Sequence, residues 1–184
     1  MGAPHCLVGP ETIGPMLALA EKAPAGAFLE LGVYHGGTAW HLEELAERQR
    51  RTLYLCDTFR GIPYQDQNDS HHVGQFGDTS LAEVRAALHG YAGTIFVEGV
   101  FPESIAALEP FFTPLHGIAF AHLDCDQYRS YRDALAWLDS HMVTGGLIWC
   151  DDVPCLQGAA DALNEYAART GRTIQLAEKA FIRY

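Results

Sequence analysis

Seven short apolar runs alternate along the 184-residue chain with segments of helical periodicity. This alternation is typical of buried parallel strands that are joined by crossover helices. The predicted strands are residues 27–31, 53–56, 94–97, 118–123, 147–150, 173–176 and 181–184.

The segments between these runs place Ala, Leu, Trp or Tyr on one helical face, which predicts helices at residues 38–50, 79–89, 104–108, 130–142 and 156–170. Seven strands and at least five helices predict an α/β fold: a single doubly wound, mostly parallel seven-stranded sheet with helices on both faces. A chain of this length supports one full core, so residues 1–184 are predicted to form one domain. The long irregular stretch 58–78 is predicted to be a lid, a substrate-binding loop or disordered.

The charge balance limits the partners. Twelve Lys and Arg residues against 23 Asp and Glu residues give a formal net charge of −11, so neither nucleic acid nor an anionic membrane is expected to bind. The N-terminal residues 1–15 lack a signal-peptide pattern, and no apolar run approaches the roughly 20 residues that span a bilayer, which predicts a cytoplasmic protein. Five cysteines without CxxC spacing are predicted to be reduced.

Ligands of open parallel sheets bind at the carboxyl ends of the strands. The first predicted strand is followed by a turn with three glycines, residues 30–38, that leads into a helix. Such a turn lets the backbone approach a ligand, although its spacing is not GxGxxG and a tight strand-to-helix turn is the alternative. Asp57 ends the second strand, where a carboxylate suits ribose hydroxyls or caps a turn. Together the two features favour a nucleoside cofactor.

Carboxylates also follow two further strands. Asp124 and Asp126 end the fourth strand, and Asp151 and Asp152 end the fifth. Like charges this close disfavour joint ionisation unless a cation joins them, and oxygen ligands favour Mg²⁺ or Mn²⁺. The alternative is that these aspartates cap helices and pair with nearby arginines.

Two histidines in the long loop, His71 and His72, are candidates for a general base, since a loop imidazole can close over a site and accept a proton. The residues alone do not decide between them, and a solvated loop histidine is the alternative.

Four segments resemble, in order, the motifs of the macrocin O-methyltransferase family: ELGVYHGG (30–37), DTFRGIP (57–63), LDCDQY (123–128) and GGLIWCDD (145–152). The resemblance spans residues 28–170. It implies a Rossmann-like class I methyltransferase fold and an enzyme that uses S-adenosylmethionine and a metal ion to methylate sugar hydroxyls in natural-product biosynthesis. The segment before Ala27 is shorter than in typical members, and in the family this region contributes to the substrate site and subunit contacts.

The resemblance also implies roles for individual residues. The loop after the first strand holds the methionine part of the cofactor, Asp57 holds the ribose, and Phe59 and the 98–99 turn lie near the adenine. The implied cofactor-binding residues are Glu30, Gly32, Val33, Tyr34, Gly36, Gly37, Thr38, Asp57, Thr58, Phe59, Glu98, Gly99 and Asp124. The implied metal ligands are Asp124, Asp151 and Asp152, with Asp126 as a further ligand or a neighbour of the ligands. The family's base implies a catalytic His71 or His72.

The main hypothesis is therefore a Mg²⁺-dependent O-methyltransferase that acts on a small hydroxylated acceptor, of sugar, diol or catechol type, and a homo-oligomer is compatible with it. One alternative is a metal-dependent nucleotide-sugar glycosyltransferase, because residues 124–126 also fit a DxD metal site. It leaves the glycine turn and the second aspartate pair without a role. Another alternative is a non-catalytic module that binds S-adenosylmethionine, which has no need of the carboxylates.

Overall fold

A computed structural model describes residues 4–112 and 116–184. Its seven strands form one sheet in the order β3-β2-β1-β4-β5-β7-β6. The strands are β1 (Ala27–Leu31), β2 (Leu53–Asp57), β3 (Thr94–Glu98), β4 (Ile118–Leu123), β5 (Met142–Cys150), β6 (Gln175–Leu176) and β7 (Ala180–Arg183). The first five strands pair in parallel, and β7 runs antiparallel to both β5 and β6.

Helices cover both faces of this sheet. They are α1 (Pro10–Ala20), α2 (Gly37–Gln49), α3 (Leu81–Ala87), α4 (Tyr128–His141) and α5 (Gln157–Thr170), and a 3₁₀ helix spans Glu103–Phe111. Side chains alternate along each strand, so Phe28 of β1 packs in the core with α1, α2 and α3, while its neighbour Leu29 packs in the core with α4 and α5. The predicted doubly wound sheet with helices on both faces is confirmed.

The predicted elements differ from the structure mainly at their ends. The fifth strand was predicted over residues 147–150, but β5 begins at Met142 and contains Gly145 and Gly146. Tyr184 exchanges backbone hydrogen bonds with them, since its carbonyl accepts from Gly145 and its N–H donates to Gly146. The strand predicted over 173–176 is reduced to two residues. The helix predicted over 104–108 is a 3₁₀ helix, within which Pro110 lacks the N–H that an α-helix needs.

The helix α1 was not predicted at all. Gly14 and Pro15 interrupt its sequence, but Pro15 lies within the first two turns, and tertiary packing compensates. Its residues Ile13, Met16 and Ala20 are buried, and Met16 and Ala20 pack in one core cluster with residues of the sheet and α2. Among the described residues, no helix is long and apolar enough to cross a membrane.

Candidate active site

One cavity of about 430 Å³ lies at the carboxyl ends of β1, β2, β4 and β5, a size that suits a small-molecule ligand. Its floor carries Gly32, Asp57, Asp124 and Asp151, so residues from four strand ends meet there as the sequence predicted. The walls come from segment 7–12, from the long loop through Ile62, Tyr64 and Phe76, and from Val100, Phe101 and Ser130.

The carboxylate of Asp57 holds the glycine loop in place. Its Oδ2 accepts the backbone N–H groups of Val33 at 2.7 Å and Tyr34 at 2.9 Å, and its Oδ1 accepts the N–H of Phe59 at 2.7 Å. Two loops, one after β1 and one after β2, are therefore tied to a single partly buried side chain. The turn-capping role that the sequence left open is present, and Asp57 still lines the cavity.

Gly32 is required by close backbone packing. Its φ is +90°, and a Cβ at this position would lie 1.8 Å from the carbonyl oxygen of Asp124. The end of β1 thus approaches the end of β4 as only glycine allows, and this contact places the loop beside the aspartates.

Of the thirteen residues that the resemblance implies for the cofactor, the cavity is lined by Gly32, Tyr34, Asp57, Thr58, Gly99 and Asp124. Several others lie outside it. Glu30 and Phe59 are buried beneath the loops, and Glu98 is exposed and pairs with Arg60 at 3.4 Å.

The start of α2 is also outside the cavity. Gly36, in the left-handed conformation at φ +86°, precedes the helix, and the backbone of Cys6 packs on Gly37. The thiol of Cys6 lies 3.6 Å from Oγ1 of Thr38. The N-terminal segment therefore covers the first turn of α2, and contact of these residues with a cofactor stays a prediction.

A line of charged side chains runs under the cavity floor. Oε1 of buried Glu30 lies 3.2 Å from Nδ1 of His122, and Nε2 of His122 lies 3.8 Å from Oδ1 of Asp151. Oδ2 of Asp151 in turn lies 3.3 Å from Nζ of Lys179. Burial lowers the pKa of His122, but the carboxylates of Asp151 and Glu30 outweigh it and raise the value to about 10. The imidazole of His122 thus joins buried Glu30 to Asp151, and the two carboxylates favour its protonated form.

The pKa values of the remaining aspartates shift upward. Burial raises the pKa of Asp126 to about 9, with a contribution from the charges of Asp152 and Asp124, and it raises those of Asp124 and Asp152 as well. Burial also acts on Asp151, but there His122 and Lys179 outweigh it and lower the pKa. Asp124, Asp126 and Asp152 therefore repel one another when they are ionised. The negative charge of Asp151 is already balanced by its positive neighbours.

The donor chemistry of these aspartates fits a hard divalent cation, since all the donors are oxygens and positive charge would relieve their repulsion. The ammonium of Lys179 shows that the site accepts a cation at Asp151. Within residues 4–112 and 116–184, however, no three His, Cys, Asp or Glu side chains are arranged to hold a metal ion. The predicted metal ligands are therefore close in space but are not arranged as a complete coordination site in the described residues.

The two candidate histidines have different surroundings. Nε2 of His71 lies 3.4 Å from Oδ1 of Asp126, and its Nδ1 lies 2.7 Å from the amide nitrogen of Gln75. His72 is exposed, and its Nδ1 contacts the carbonyl of Val73 at 3.1 Å. The structure thus brings His71, and not His72, to the aspartates.

The long loop is fixed to α4 by a buried carboxylate. Asp69 is 8% exposed; its Oδ2 accepts the N–H of Asp66 at 2.6 Å and its Oδ1 accepts the N–H of Tyr128 at 2.7 Å. It therefore caps the first turn of α4 from a distant part of the chain. Gln127 adds a hydrogen bond to the carbonyl of His71 at 3.1 Å. The loop is ordered by these bonds, and they hold His71 next to Asp126, which lines the cavity.

Two contributors to the site were missed from the sequence. Leu7, Val8 and Gly9 line the cavity just ahead of α1, whose start is signalled by Pro10 and by Glu11 in its first turn. Lys179 comes just before β7, whose first residue Ala180 pairs with Cys150 at the end of β5. The antiparallel direction of β7 is what brings Lys179 to the cavity.

The sequence model of the macrocin O-methyltransferase family (TylF) matches residues 16–178. The chain belongs to this family. Membership favours a methyltransferase over the glycosyltransferase hypothesis, and the match is slightly longer than the resemblance inferred from the motifs.

Two curated relatives come from Streptomyces. One, from Streptomyces olivaceus, is named 8-demethyl-8-(2,3-dimethoxy-alpha-L-rhamnosyl)-tetracenomycin-C 4′-O-methyltransferase and is 27% identical over 177 residues, 87% of this chain. The other, from Streptomyces niveus, is named demethyldecarbamoylnovobiocin O-methyltransferase and is 26% identical over 164 residues, 78% of this chain. The chain spans 64% and 59% of the lengths of these two relatives.

Solved structures share the fold of this macrocin O-methyltransferase family member. The O-methyltransferase NovP superposes with a TM-score of 0.78 at 21% identity, over 97% of this chain and 80% of its own. The calicheamicin methyltransferase CalS11 gives a TM-score of 0.79 at 20% identity, over 94% of this chain and 77% of its own.

Proposed function

We propose that this chain transfers a methyl group from S-adenosylmethionine to a hydroxyl group of a small natural product of sugar, diol or catechol type. One observation carries the proposal: a single cavity is lined both by Gly32 and Asp57 and by Asp124, Asp126 and Asp151 at the ends of β4 and β5. A nucleoside cofactor and a hydroxylated acceptor would then meet in one space, as transfer between them requires.

For the cofactor, we assign Asp57 to the ribose and the backbone around Gly32 and Tyr34 to the methionine part. The sulfonium of S-adenosylmethionine supplies the electrophilic methyl group when it is bound. Asp57 already fixes the glycine loop through the N–H groups of Val33 and Tyr34, so its carboxylate holds a site that is largely formed before binding. Gly99 follows β3 and also lines the cavity, and we assign the adenine to its neighbourhood.

For the acceptor, we assign His71 as the general base. Its imidazole is partly exposed, its Nε2 lies 3.4 Å from Oδ1 of Asp126, and we assign this nitrogen to take the hydroxyl proton. Gln75 contacts the other ring nitrogen and fixes the orientation of the ring. His72 has no comparable contacts and is assigned no role in the reaction.

We further propose that Mg²⁺ is held by Asp124, Asp151 and Asp152, with Asp126 as a further ligand. The support is the donor chemistry and the mutual repulsion of three of these acids. A bound ion there would lower the pKa of an acceptor hydroxyl and orient it. The predicted homo-oligomer, the cytoplasmic location and the absence of nucleic acid and membrane partners stay predictions.

The acceptor class is supported by the names of the two Streptomyces relatives, one of which names a rhamnosyl tetracenomycin. A test is to incubate the purified protein with S-adenosylmethionine labelled in its methyl group, Mg²⁺ and a panel of rhamnosides, aminocoumarin glycosides and catechols. We expect label in an acceptor that carries vicinal hydroxyls. Binding of S-adenosylmethionine without transfer to any hydroxyl would instead support the non-catalytic module.

A further inference from the structure

A lysine ammonium lies on one of the four aspartates at the cavity floor. Nζ of Lys179 forms an ion pair with Oδ2 of Asp151 at 3.3 Å and also donates a hydrogen bond to the backbone carbonyl of the same residue. The two contacts fix the ammonium against one carboxylate. The other of the chain's two lysines is Lys22. The side chain of Lys179 is 19% exposed, so this pair is largely shielded from solvent.

The ammonium of Lys179 is a positive charge in an otherwise acidic cavity lining. Among the described residues that line the cavity, Lys179 is the one Lys or Arg, whereas Asp57, Asp124, Asp126 and Asp151 are all acidic. Arg129, at the start of α4, is engaged elsewhere by Asp66 at 3.0 Å and by the ring of Tyr64. Lys179 therefore supplies the cavity's own positive charge.

The position of Lys179 in a surface turn allows its ammonium to move away from Asp151. It lies in the turn between β6 and β7, where the N–H of Ala177 bonds to its carbonyl, and its ammonium is 4.0 Å from the thiol of exposed Cys155. A flexible four-carbon stem at such a surface turn can swing toward solvent without moving the sheet.

We propose that Lys179 is an internal cation that occupies Asp151 in the free protein and competes with a divalent metal ion for this carboxylate. This inference rests on the metal part of the proposed function. Both oxygens of Asp151 already have partners, since Oδ1 accepts from Nε1 of Trp149 at 3.2 Å and Oδ2 faces Lys179 at 3.3 Å. A metal ion that approaches Oδ2 would therefore meet the ammonium, and the two positive charges repel each other. Lys179 has to release Asp151 before that residue can join Asp124 and Asp152 as a ligand.

The test measures Mn²⁺ binding by the loss of the free-ion signal in electron paramagnetic resonance, with no substrate present. Wild type is compared with Lys179→Met, which removes the charge, and with Lys179→Gln, which removes the charge but keeps a donor for the Asp151 carbonyl. Lys179→Arg keeps the charge. Lys22→Met is the matched control, since it changes the exposed second lysine, which precedes β1, by the same substitution.

We expect Lys179→Met and Lys179→Gln to bind Mn²⁺ about tenfold more tightly than wild type, and Lys179→Arg and Lys22→Met to bind like wild type. Thermal unfolding and titration with S-adenosylmethionine establish that each variant is folded, and Lys179→Gln decides the question if the Met variant is not. Equal Mn²⁺ affinity in wild type and both neutral variants would overturn the competition and leave the metal proposal standing. No Mn²⁺ binding by any variant would overturn both.

Discussion

Oδ2 of Asp57, at the end of β2, accepts the backbone N–H of Tyr34, in the loop after β1, at 2.9 Å. This bond joins the two strand ends where a nucleoside is proposed to bind. The carboxylate has two roles in our account, because it stabilises the loop in the free protein and is assigned to the ribose in the complex. The two roles are separable by experiment.

Replacing Asp57 tests both roles at once. In Asp57→Ala the N–H groups of Val33, Tyr34 and Phe59 lose their acceptor, so we expect the free energy of unfolding to fall by about 2 kcal/mol. Affinity for S-adenosylmethionine should fall at least about tenfold, since a charge-assisted hydrogen bond is also lost. Urea unfolding and calorimetric titration measure the two effects. Asp57→Asn, which keeps one acceptor oxygen, should recover part of the stability; equal losses in both variants would contradict the capping role.

The two loop histidines form a matched pair for the proton-transfer step. We expect His71→Ala to lower kcat by about 10²-fold or more, because a positioned base is removed, with little change in KM for S-adenosylmethionine. His72→Ala should stay within about twofold of wild type, since this side chain is exposed. Initial rates of label transfer to an active acceptor measure both. A larger loss in the His72 variant would refute our assignment of the base.

The buried acid cluster predicts the pH dependence of stability in protein free of divalent ions. Burial raises the pKa of Asp126 to about 9, whereas in the unfolded chain it is about 4. Between these values the folded state keeps a proton that the unfolded state releases, so the contribution of Asp126 to stability decreases as pH rises through this window. Asp126→Asn should therefore gain stability over wild type, and the gain should grow between pH 5 and pH 8.

Urea unfolding at several pH values, in the presence of a chelator, measures this gain. Glu47→Gln on α2 is the control, because it removes a charge of the same sign from an exposed position, and its effect should stay within about 0.5 kcal/mol. A gain from Asp126→Asn that shrank as pH rose would show that the pKa of Asp126 is not raised in the folded protein.

The carboxylate of Asp69 is expected to keep the long loop, residues 58–78, in its folded conformation. Its carboxylate accepts the N–H groups of Asp66 and Tyr128, so Asp69→Ala leaves two donors without a partner, at a cost of about 1–3 kcal/mol. We expect amides between residues 60 and 76 to exchange with deuterium faster in this variant, while those of β1 and β4 keep their protection. Asn68→Ala, which removes an exposed contact with Asp161, is the control. Unchanged exchange in the loop would show that Asp69 does not hold it.

The strand positions were predictable because buried parallel strands are continuous apolar runs. The predicted run 118–123 and the strand β4 coincide, as do 27–31 and β1. The helix α1 was hidden because Gly14 and Pro15 lower its helical propensity, and burial of Met16 against the sheet compensates for this. The meeting of the aspartates was also predictable, because the carboxyl ends of parallel strands lie at one edge of the sheet.

Contacts between distant segments could not be read from the sequence. Nothing in residues 71 and 72 themselves says which imidazole meets Asp126, because the choice depends on the bonds that Asp69 and Gln127 make across the fold. The pairing of Lys179 with Asp151 depends in the same way on the antiparallel approach of β7 to β5. Hydrophobic periodicity therefore predicts the helices and strands. The arrangement of the site depends on side-chain contacts between distant residues, which periodicity does not show.

Calorimetric titration of the purified protein with S-adenosylmethionine, with and without Mg²⁺, tests directly whether this cavity binds the cofactor. We expect one site of micromolar affinity in wild type and a clear loss of heat in Asp57→Ala. Absence of binding to folded wild-type protein under both conditions would contradict the assignment of this cavity to S-adenosylmethionine, and with it the proposed methyl transfer.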